Sequence, residues 1–370
     1  MTGEASGDLH GANLAAAIRA LCPEAEILGV GGPKMQAAGV KLILGIEGLT
    51  AIGMIGWAVL SRSVRTYVTL ARFLRRQPLG AVVFVDNPGL NLRLARVAKR
   101  AGHRVAYYVA PQIWAWHAGR INVIKRVVDR MIVILPFERE IYERAGVRCD
   151  FVGHPLLDVV APSYDRSELR KRFGVDGASR VIGFLPGSRE REVRDLLPVM
   201  LRAAATLART HPGLQFVLAQ AASLSARLLE DLLAGSGVSV RVVRDQPNEV
   251  MAASDLLFVA SGTATLQAAL VGTPMVILYR VSRLTYWLGR LLVRVKCIGL
   301  VNLVAGRKFV PELIQRDATP ERLCEEASRL LDDELANREM SAALRRVREE
   351  LGEPGASRRA AAAVLSECRT

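Results

Sequence analysis

Short apolar runs rich in β-branched residues alternate with amphipathic stretches along the whole chain. Each run ends in a turn signal, and the stretch after it carries apolar residues at helical spacing. This alternation is typical of parallel strands connected by helices. The strands predicted in the first half are 27–30, 81–85, 105–109, 131–135 and 151–152. Those predicted in the second half are 181–185, 215–219, 238–243, 256–259 and 275–278.

The pattern predicts an α/β fold with two Rossmann-like, doubly wound parallel sheets in series. A chain of 370 residues is also too long for a single core of average size. The first set of strands ends before a polar, proline-containing connection at 154–163. We therefore expect domains at 1–160 and 161–344. A helix at 345–370 is expected to pack on the first domain or on a partner subunit.

No strand is predicted ahead of the first loop of the first sheet. Residues 3–8 have the composition of a strand-to-helix loop, but only Met1 and Thr2 precede them. A Rossmann-type half has its first, central strand at this point. Either the start of the protein lies upstream or the first sheet lacks this strand, and we expect the former.

Charge narrows the class of partner. Lys and Arg outnumber Asp and Glu by 50 to 36, which gives a net charge of +14. The partner is therefore expected to be an anionic membrane surface, a phosphorylated substrate or nucleic acid. The basic residues are scattered through the α/β units and form no nucleic-acid-binding pattern, so we predict no nucleic-acid partner.

Cysteine usage and hydropathy point to a reduced, intracellular setting. The five cysteines are widely spaced and include no CxxC pair, which favours reduced thiols and no structural zinc. No signal peptide is evident, and the longest uncharged apolar stretch, 48–61, is shorter than the ~20 residues of a membrane-spanning helix. We expect a cytoplasmic protein with peripheral membrane contact.

Two loops in the second half have the composition of anion sites. Both follow a predicted strand and precede a helix, where free N–H groups and the helix dipole attract phosphate. The guanidinium of Arg189 adds donors suited to phosphate oxygens. The candidate ligand residues are Gly187, Ser188, Arg189, Ser261, Gly262 and Thr263. Glycine and serine also close ordinary tight turns, but two such loops together favour a nucleotide diphosphate.

Asp86 is the candidate general base. It follows the apolar run 81–85, and parallel sheets place their chemistry at the carboxyl ends of strands. A transfer to a hydroxyl group needs a base that removes the hydroxyl proton. Asp before Asn-Pro is also a common turn cap, and the residues alone do not decide between the two roles.

Many short motifs in fixed order give the chain a resemblance to a family. These are Gly3-Glu-Ala-Ser-Gly-Asp8, Gly29-Val-Gly-Gly-Pro33, Asp86-Asn-Pro88, Tyr108-Val-Ala-Pro-Gln-Ile-Trp-Ala-Trp116, Leu135-Pro-Phe137, Phe151-Val-Gly-His-Pro155, Leu185-Pro-Gly-Ser-Arg189, Ala260-Ser-Gly-Thr263, Tyr279-Arg280 and Asn302-Leu-Val-Ala-Gly-Arg307. In this order they resemble the lipid A disaccharide synthases, inverting glycosyltransferases that join two acylated glucosamines.

The resemblance implies a fold, a reaction and substrates. The fold would be GT-B, the donor UDP-2,3-diacylglucosamine, and the acceptor 2,3-diacylglucosamine 1-phosphate (lipid X). The products would be a β(1→6) disaccharide 1-phosphate and UDP, formed at the inner face of the cytoplasmic membrane without a metal or other cofactor. The resemblance also suggests a homodimer.

The resemblance assigns further roles by position. Asp86 would be the base, and Arg189 and Asn302 would stabilise the leaving group. Arg307 would bind the diphosphate, while Glu4 and Ser6 would order the acceptor. Glu4, Ser6 and Asp8 are equally able to cap the first helix, and isolated Asn and Arg residues are often ordinary loop polarity.

Acylated substrates require a lipid-facing surface, and the stretch 62–77 has a suitable pattern. Its apolar residues fall at helical spacing among arginines, as in helices that lie on anionic lipid. The predicted membrane contacts are Trp57, Val64, Tyr67, Val68, Leu74, Arg72, Arg75 and Arg76. The stretch 284–296 is similar. A helix packed on its own sheet has the same periodicity.

Some positions depart from the family pattern. Gln267 stands in place of a glutamate that would bind the ribose hydroxyls, Gly89 in place of an aspartate, and Gly56 and Lys308 also differ. One amide oxygen accepts less strongly than a carboxylate. We expect an active enzyme with altered substrate contacts. The alternatives are another GT-B enzyme that uses a UDP-N-acetylhexosamine, either an epimerase or a peptidoglycan-type transferase, and a non-catalytic membrane-bound homologue.

Overall fold

The computed structural model describes residues 1–2, 5–45, 57–282, 286 and 297–368, with the backbone alone for 5 and 57–63. The chain folds into two compact units. One contains Met1–Asp158 together with the chain from Leu351 onward, and the other contains Val159–Glu350. The division predicted after residue 160 lies close to this boundary. The tail predicted to begin at 345 begins instead after a helix that extends to Glu350.

The strand ladders of the described residues are all parallel. In the first unit, β1 pairs with β2, and a second sheet has the order β3-β4-β5-β6. The sheet of the second unit has the order β12-β11-β10-β7-β8-β9. The strands are β1 Leu28–Gly31, β2 Lys41–Gly45, β3 Val82–Val85, β4 Val105–Tyr108, β5 Arg130–Val133, β6 Cys149–Phe151, β7 Val181–Leu185, β8 Gln215–Gln220, β9 Val240–Arg244, β10 Leu256–Ala260, β11 Met275–Tyr279 and β12 Glu312–Ile314.

Helices connect these strands. They are α1 Ala5–Leu21, α2 Pro33–Ala37, α3 Trp57–Arg76, α4 Pro88–Arg100, α5 Ile121–Val127, α6 Pro136–Arg144, α7 Arg166–Arg172, α8 Glu190–Thr210, α9 Ala226–Leu233, α10 Pro247–Ala253, α11 Ala264–Val271, α12 Leu300–Val304, α13 Pro320–Asp332, α14 Glu334–Glu350 and α15 Ala356–Leu365. Helices α2, α4, α6, α10 and α13 begin with proline, whose fixed φ suits the first turn and whose missing N–H has no role there. These prolines set where the helices leave the strand ends.

Met1 and Thr2 connect the two sheets of the first unit. The Met1 ammonium donates to the Val83 carbonyl at 2.7 Å, and the Val85 N–H donates to the Met1 carbonyl at 2.9 Å. On the other side, the Thr2 N–H donates to the Val30 carbonyl at 2.9 Å. Two residues therefore occupy the position between β1 and β3 at which a Rossmann-type half has its first strand.

Both cores lie between a sheet and its helices. The central strands are buried on both faces, as parallel sheets covered by helices require. In the second unit, Phe184 stacks on Phe258 of the neighbouring strand at 5.5 Å between ring centroids. In the first unit, Phe84 and Tyr107 are fully buried on adjacent strands. These cores fix the strands whose ends carry the candidate chemistry.

The C-terminal helix α15 belongs to the first unit and packs on α1. The residues after it are held by ion pairs, since the Glu367 carboxylate lies 3.3 Å from a guanidinium nitrogen of Arg130 and 3.0 Å from one of Arg148. Arg130 is itself a buried residue of β5. The tail is therefore an integral part of the first unit.

Candidate functional site

The two candidate anion loops lie at the switch point of the second sheet. Strands β7, β8 and β9 extend in one direction from this point, and β10, β11 and β12 extend in the other. Strands β7 and β10 are direct neighbours in parallel register, with Leu185 opposite Val259. The loops that follow these strands therefore start side by side, at the place where open α/β sheets bind ligands.

The first loop requires glycine at position 187, because both the backbone conformation and the neighbouring side chain exclude a Cβ atom there. Gly187 has φ +114°, and a Cβ atom on it would lie 2.5 Å from a carboxylate oxygen of Glu192. The Ser188 carbonyl accepts a hydrogen bond from the Ser223 hydroxyl at 2.7 Å. Arg189 is the N-cap residue of α8, and its side chain is 81% exposed. The loop is thus fixed while its guanidinium remains accessible.

Arg189 has an internal counterion. Its guanidinium lies 2.7 Å from the Glu192 carboxylate, one turn into α8. Burial raises the pKa of the hydroxyl of Tyr279, at the end of β11, and the charges of Glu192 and Arg189 add smaller effects that raise and lower it, respectively. A diphosphate at this loop would have to share Arg189 with Glu192 or displace that carboxylate. Tyr279 has no role in the sequence prediction beyond its place in a motif.

The second loop is open around Gly262. This glycine has φ +154°, and a Cβ atom on it would meet nothing within 4 Å. The Ser261 hydroxyl donates to the Ile298 carbonyl at 3.3 Å, and Thr263 is the exposed N-cap residue of α11. A ligand can therefore approach the backbone here, as the small residues predict.

Gln267 lies one turn into α11 and is half-buried. Its amide nitrogen donates to the side-chain oxygen of Asn248 on α10 at 3.1 Å. Its amide oxygen has no partner among the residues that the structure describes. One acceptor oxygen is therefore free at this position, in agreement with the departure from a carboxylate noted in the sequence.

Asn302 has a fully buried side chain that bonds within the protein. Its action on the leaving group stays a prediction. The amide nitrogen donates to the Val310 carbonyl at 2.9 Å and to the Glu312 carboxylate at 2.8 Å. The amide oxygen accepts from the N–H groups of Phe309 and Val310, each at 3.0 Å. Asn302 is a structural residue of the loop 305–311.

This loop presents Arg307 to solvent. Arg307 is exposed, and its guanidinium carbon lies 5.8 Å from the centre of the Phe309 ring. The Glu312 carboxylate accepts from the N–H groups of Ile298 and Gly299 as well as from Asn302. The Asn302–Glu312 pair therefore holds the loop that carries Arg307, which remains available to an anion.

Asp86 occupies a strained turn at the end of β3. Asp86 and Asn87 have φ +51° and +43°, a left-handed conformation that non-glycine residues rarely adopt. Three contacts fix the Asp86 backbone. Its N–H donates to the Tyr108 carbonyl at 3.0 Å, and its carbonyl accepts from the Tyr107 hydroxyl at 2.6 Å and the Asn91 amide at 2.7 Å. The carboxylate is thus precisely placed at the carboxyl edge of the sheet.

Burial raises the pKa of Asp86 above its ordinary value, and the N–H of Asn87 partly offsets this effect. A desolvated carboxylate is a stronger base than an exposed one, which suits proton removal from a hydroxyl. Sequence reasoning did not anticipate the Asn91 and Tyr107 contacts. The signal in the sequence was that Asn91 lies about one helical turn after Asp86.

Comparison with known proteins decides the family. The family model for lipid-A-disaccharide synthetase matches residues 1–366. The lipid-A-disaccharide synthase of Geobacter metallireducens is 46% identical over 99% of this chain and 95% of its own length. The enzyme of Myxococcus xanthus is 43% identical over 99% and 96%, respectively.

The chain belongs to the lipid-A-disaccharide synthetase family. It is therefore a glycosyltransferase of lipid A biosynthesis, and the resemblance inferred from the motifs is confirmed. Nothing in these comparisons favours the epimerase or peptidoglycan-type alternative.

Solved structures show the fold alone. UDP-GlcNAc 2-epimerase from Neisseria meningitidis, solved with UDP-GlcNAc, matches with a TM-score of 0.63 and 12% identity over 99% of this chain and 98% of that one. Anabaena Alr3699/HepE, solved with UDP-glucose, matches with a TM-score of 0.57 and 15% identity over 99% and 98%. The predicted α/β, GT-B fold with parallel sheets is confirmed, although the strands of the first unit are divided between two separate ladders.

The predicted acceptor-side residues near the first helix are only partly described. Glu4 lies outside the described residues, and Ser6 is exposed in the first turn of α1. Asp8 is buried and accepts from the N–H groups of Gly32, Lys34 and Met35 at 2.7, 3.0 and 3.1 Å. Asp8 therefore caps the short helix α2 and not its own helix.

Helix α3 buries part of its predicted membrane face. Leu74 is 1% exposed and lies in the core with Leu70 and Ala71, so the prediction of Leu74 as a membrane contact is wrong. Val64 is 55% exposed, whereas Tyr67 and Val68 are half-buried. The cations Arg72, Arg75 and Arg76 are exposed. The Trp57 side chain and the stretch 284–296, apart from Tyr286, lie outside the described residues.

Two searches over the described residues bear on metals and membranes. No cluster of His, Cys, Asp or Glu among them has the form of a metal site. No helix within the same ranges is both long and apolar enough to span a bilayer.

Replacing Asn302 by alanine tests its structural role. Phe309 N–H, Val310 N–H and the Glu312 carboxylate would lose a buried partner, and each unsatisfied group costs about 1–3 kcal/mol. We expect Asn302→Ala to lower the free energy of unfolding by about 3 kcal/mol, measured by denaturant titration. Asn337→Ala is the control, because Asn337 makes a single side-chain bond, to the Leu330 carbonyl. If Asn302→Ala keeps the wild-type unfolding midpoint but loses activity, Asn302 acts in catalysis and not in stability.

Proposed function

We propose that this chain condenses UDP-2,3-diacylglucosamine with 2,3-diacylglucosamine 1-phosphate to give the β(1→6) disaccharide 1-phosphate and UDP. The observation that carries the proposal is the desolvated carboxylate of Asp86, whose backbone carbonyl is held by Tyr107 and Asn91, in a chain that matches the family over residues 1–366. The substrate pair is that of the family that the motifs resemble.

In the proposed reaction, Asp86 removes the proton of the acceptor 6-hydroxyl while the oxygen of that hydroxyl attacks the anomeric carbon of the donor. The bond from that carbon to the diphosphate breaks, and UDP leaves with inversion. Arg189, Arg307 and the N–H groups of the two loops would neutralise the departing diphosphate. Donors in fixed positions can stabilise this charge without a bound metal ion.

Substituting Asp86 tests the base. We expect Asp86→Asn to lower kcat by about 10²–10⁴-fold, the range for loss of a general base, in a UDP-release assay with both acylated substrates. Because burial disfavours the ionised form of Asp86, Asp86→Asn should also raise the melting temperature. Ionisation of this group costs stability as the pH rises through its raised pKa.

The pH profile and a control complete this test. The acid limb of kcat for the wild type should lie above the pKa of a free aspartate, about 4, because the base must be ionised. Asp231→Asn, on the exposed surface of α9, should change neither kcat nor the melting temperature. Equal disaccharide formation by wild type and Asp86→Asn would remove Asp86 from the mechanism. Turnover of UDP-GlcNAc alone would instead favour the unacylated-sugar alternative.

Gln267 is proposed to accept a hydrogen bond from the ribose of the donor. We expect Gln267→Glu to lower the donor KM by about 3- to 10-fold, since a carboxylate makes hydrogen bonds roughly twice as strong as an amide does. Steady-state kinetics with varied donor measure this effect. Gln77→Glu makes the same charge change on an exposed residue of the first unit and should leave KM unchanged. A raised donor KM in Gln267→Glu would contradict the ribose contact.

We also infer a peripheral membrane contact through α3. Its support is the exposed cluster Arg72, Arg75 and Arg76, none of which pairs with a carboxylate in the part of the chain that the structure describes. Each basic residue near an anionic surface contributes about 1 kcal/mol. The homodimer suggested by the resemblance stays a prediction.

Vesicle binding tests the membrane proposal. The triple variant Arg72→Gln, Arg75→Gln, Arg76→Gln should bind phosphatidylglycerol vesicles about 100-fold more weakly than the wild type in sedimentation assays. The control variant Arg202→Gln, Arg209→Gln, Arg227→Gln removes three exposed arginines from the second unit. Equal binding by the two variants would exclude α3 as the contact.

A further inference from the structure

The loop 109–120 leaves the same sheet edge as Asp86 and is rigidly held. Val109 has φ +59°, an outlier for a β-branched residue. The Trp114 indole donates to the buried Glu138 carboxylate at 3.0 Å, and the Tyr142 hydroxyl donates to the Pro111 carbonyl at 2.9 Å. Glu138 and Tyr142 both lie on α6. This helix therefore fixes the loop in one conformation.

The loop presents an aromatic ring and a cation together. Trp116 is 43% exposed, and the guanidinium carbon of Arg120 lies 5.3 Å from the centre of its ring. Arg120 has no carboxylate partner among the described residues, whereas Arg130, Arg139 and Arg144 of the same unit each have one. Arg120 is therefore a preorganised cation that is free to bind an anion.

The loop that carries this cation begins beside the candidate base. Strand β4 pairs with β3, and the Asp86 N–H donates to the Tyr108 carbonyl directly before the loop begins. Burial is the main cause that raises the pKa of the Tyr107 hydroxyl, with smaller effects from the charge of Asp86, which raises it, and of Arg120, which lowers it. The Tyr107 hydroxyl contacts the Asp86 carbonyl at 2.6 Å. The loop that carries Trp116 and Arg120 therefore starts at the sheet edge where Asp86 lies.

We propose that Arg120, stacked on Trp116, binds the phosphate monoester of the acceptor sugar, with the Trp116 ring against the sugar face. This inference rests on the proposed function, in which the acceptor carries a 1-phosphate. The planar guanidinium offers paired donors that match two phosphate oxygens, and the ring behind it holds the side chain in place. A phosphate bound there would orient the acceptor relative to Asp86.

Two acceptors and three variants test the inference. The acceptors are 2,3-diacylglucosamine 1-phosphate and the same sugar without phosphate. Arg120→Gln should raise KM for the phosphorylated acceptor by about 10- to 100-fold, the effect of losing a charge-assisted contact, and leave the donor KM unchanged. With the dephosphorylated acceptor, Arg120→Gln and wild type should behave alike. Arg120→Lys should restore part of the phosphate preference.

The control variant is Arg126→Gln, an exposed arginine on α5 that bonds only to the Asn122 carbonyl of its own helix. It should match the wild type with both acceptors. Equal losses by Arg120→Gln with both acceptors, or no loss with either, would overturn the phosphate site.

Equilibrium binding separates this inference from the proposed function. Calorimetry with the two acceptors in detergent measures the phosphate-dependent affinity of wild type and Arg120→Gln without any turnover. A phosphate-dependent affinity that Arg120→Gln abolishes supports the site even if the wild type forms no disaccharide, in which case the proposed function alone fails. Equal affinity of the wild type for the two acceptors overturns the site whatever the turnover.

Discussion

The hydrogen bonds that the Asp86 carbonyl accepts from Tyr107 and Asn91 are the contacts on which the chemistry proposed for the first unit depends. A left-handed Asp-Asn pair is unfavourable by itself, by an amount on the order of 1 kcal/mol or more per residue. Two partly buried hydrogen bonds of about 1 kcal/mol each can offset that cost. The turn then directs the carboxylate out of the sheet edge, in a setting that raises its pKa.

In the second unit, parallel strand pairing places the candidate ligand loops at one edge of the sheet. Because β7 and β10 are neighbours that run in one direction, both of their loops emerge at one edge. Gly187 and Gly262 shape these loops, the first against Glu192 and the second in open space. Arg189 stays accessible because it is the N-cap residue of α8 and its partner Glu192 lies on the same helix. The anion site therefore depends on local geometry that the strand order brings together.

Polar side chains have two different roles in this fold. Asp8 bonds to backbone N–H groups, and Asn302 bonds to backbone groups and to the Glu312 carboxylate, so both stabilise the fold. Asp86 has few partners for its carboxylate, and its burial is a cost that its chemistry explains. The same contrast separates Asn302, held by Glu312, from the exposed Arg307 of the same loop.

The sequence alone determined the alternation of strands and helices, the parallel α/β class and the loops that carry glycine, serine and arginine. Ten predicted strands are present with ends shifted by at most two residues, whereas β2 and the short, Glu-containing β12 were missed. These features depend on residues that are neighbours in the chain, so hydrophobic periodicity and turn residues predict them. Only the tertiary structure showed which polar residues are buried and stabilise the fold through hydrogen bonds. It also showed that Leu74 faces the core. The reason is that the deciding partners lie far apart in the chain, as Tyr107 does from Asp86 and Gly32 from Asp8.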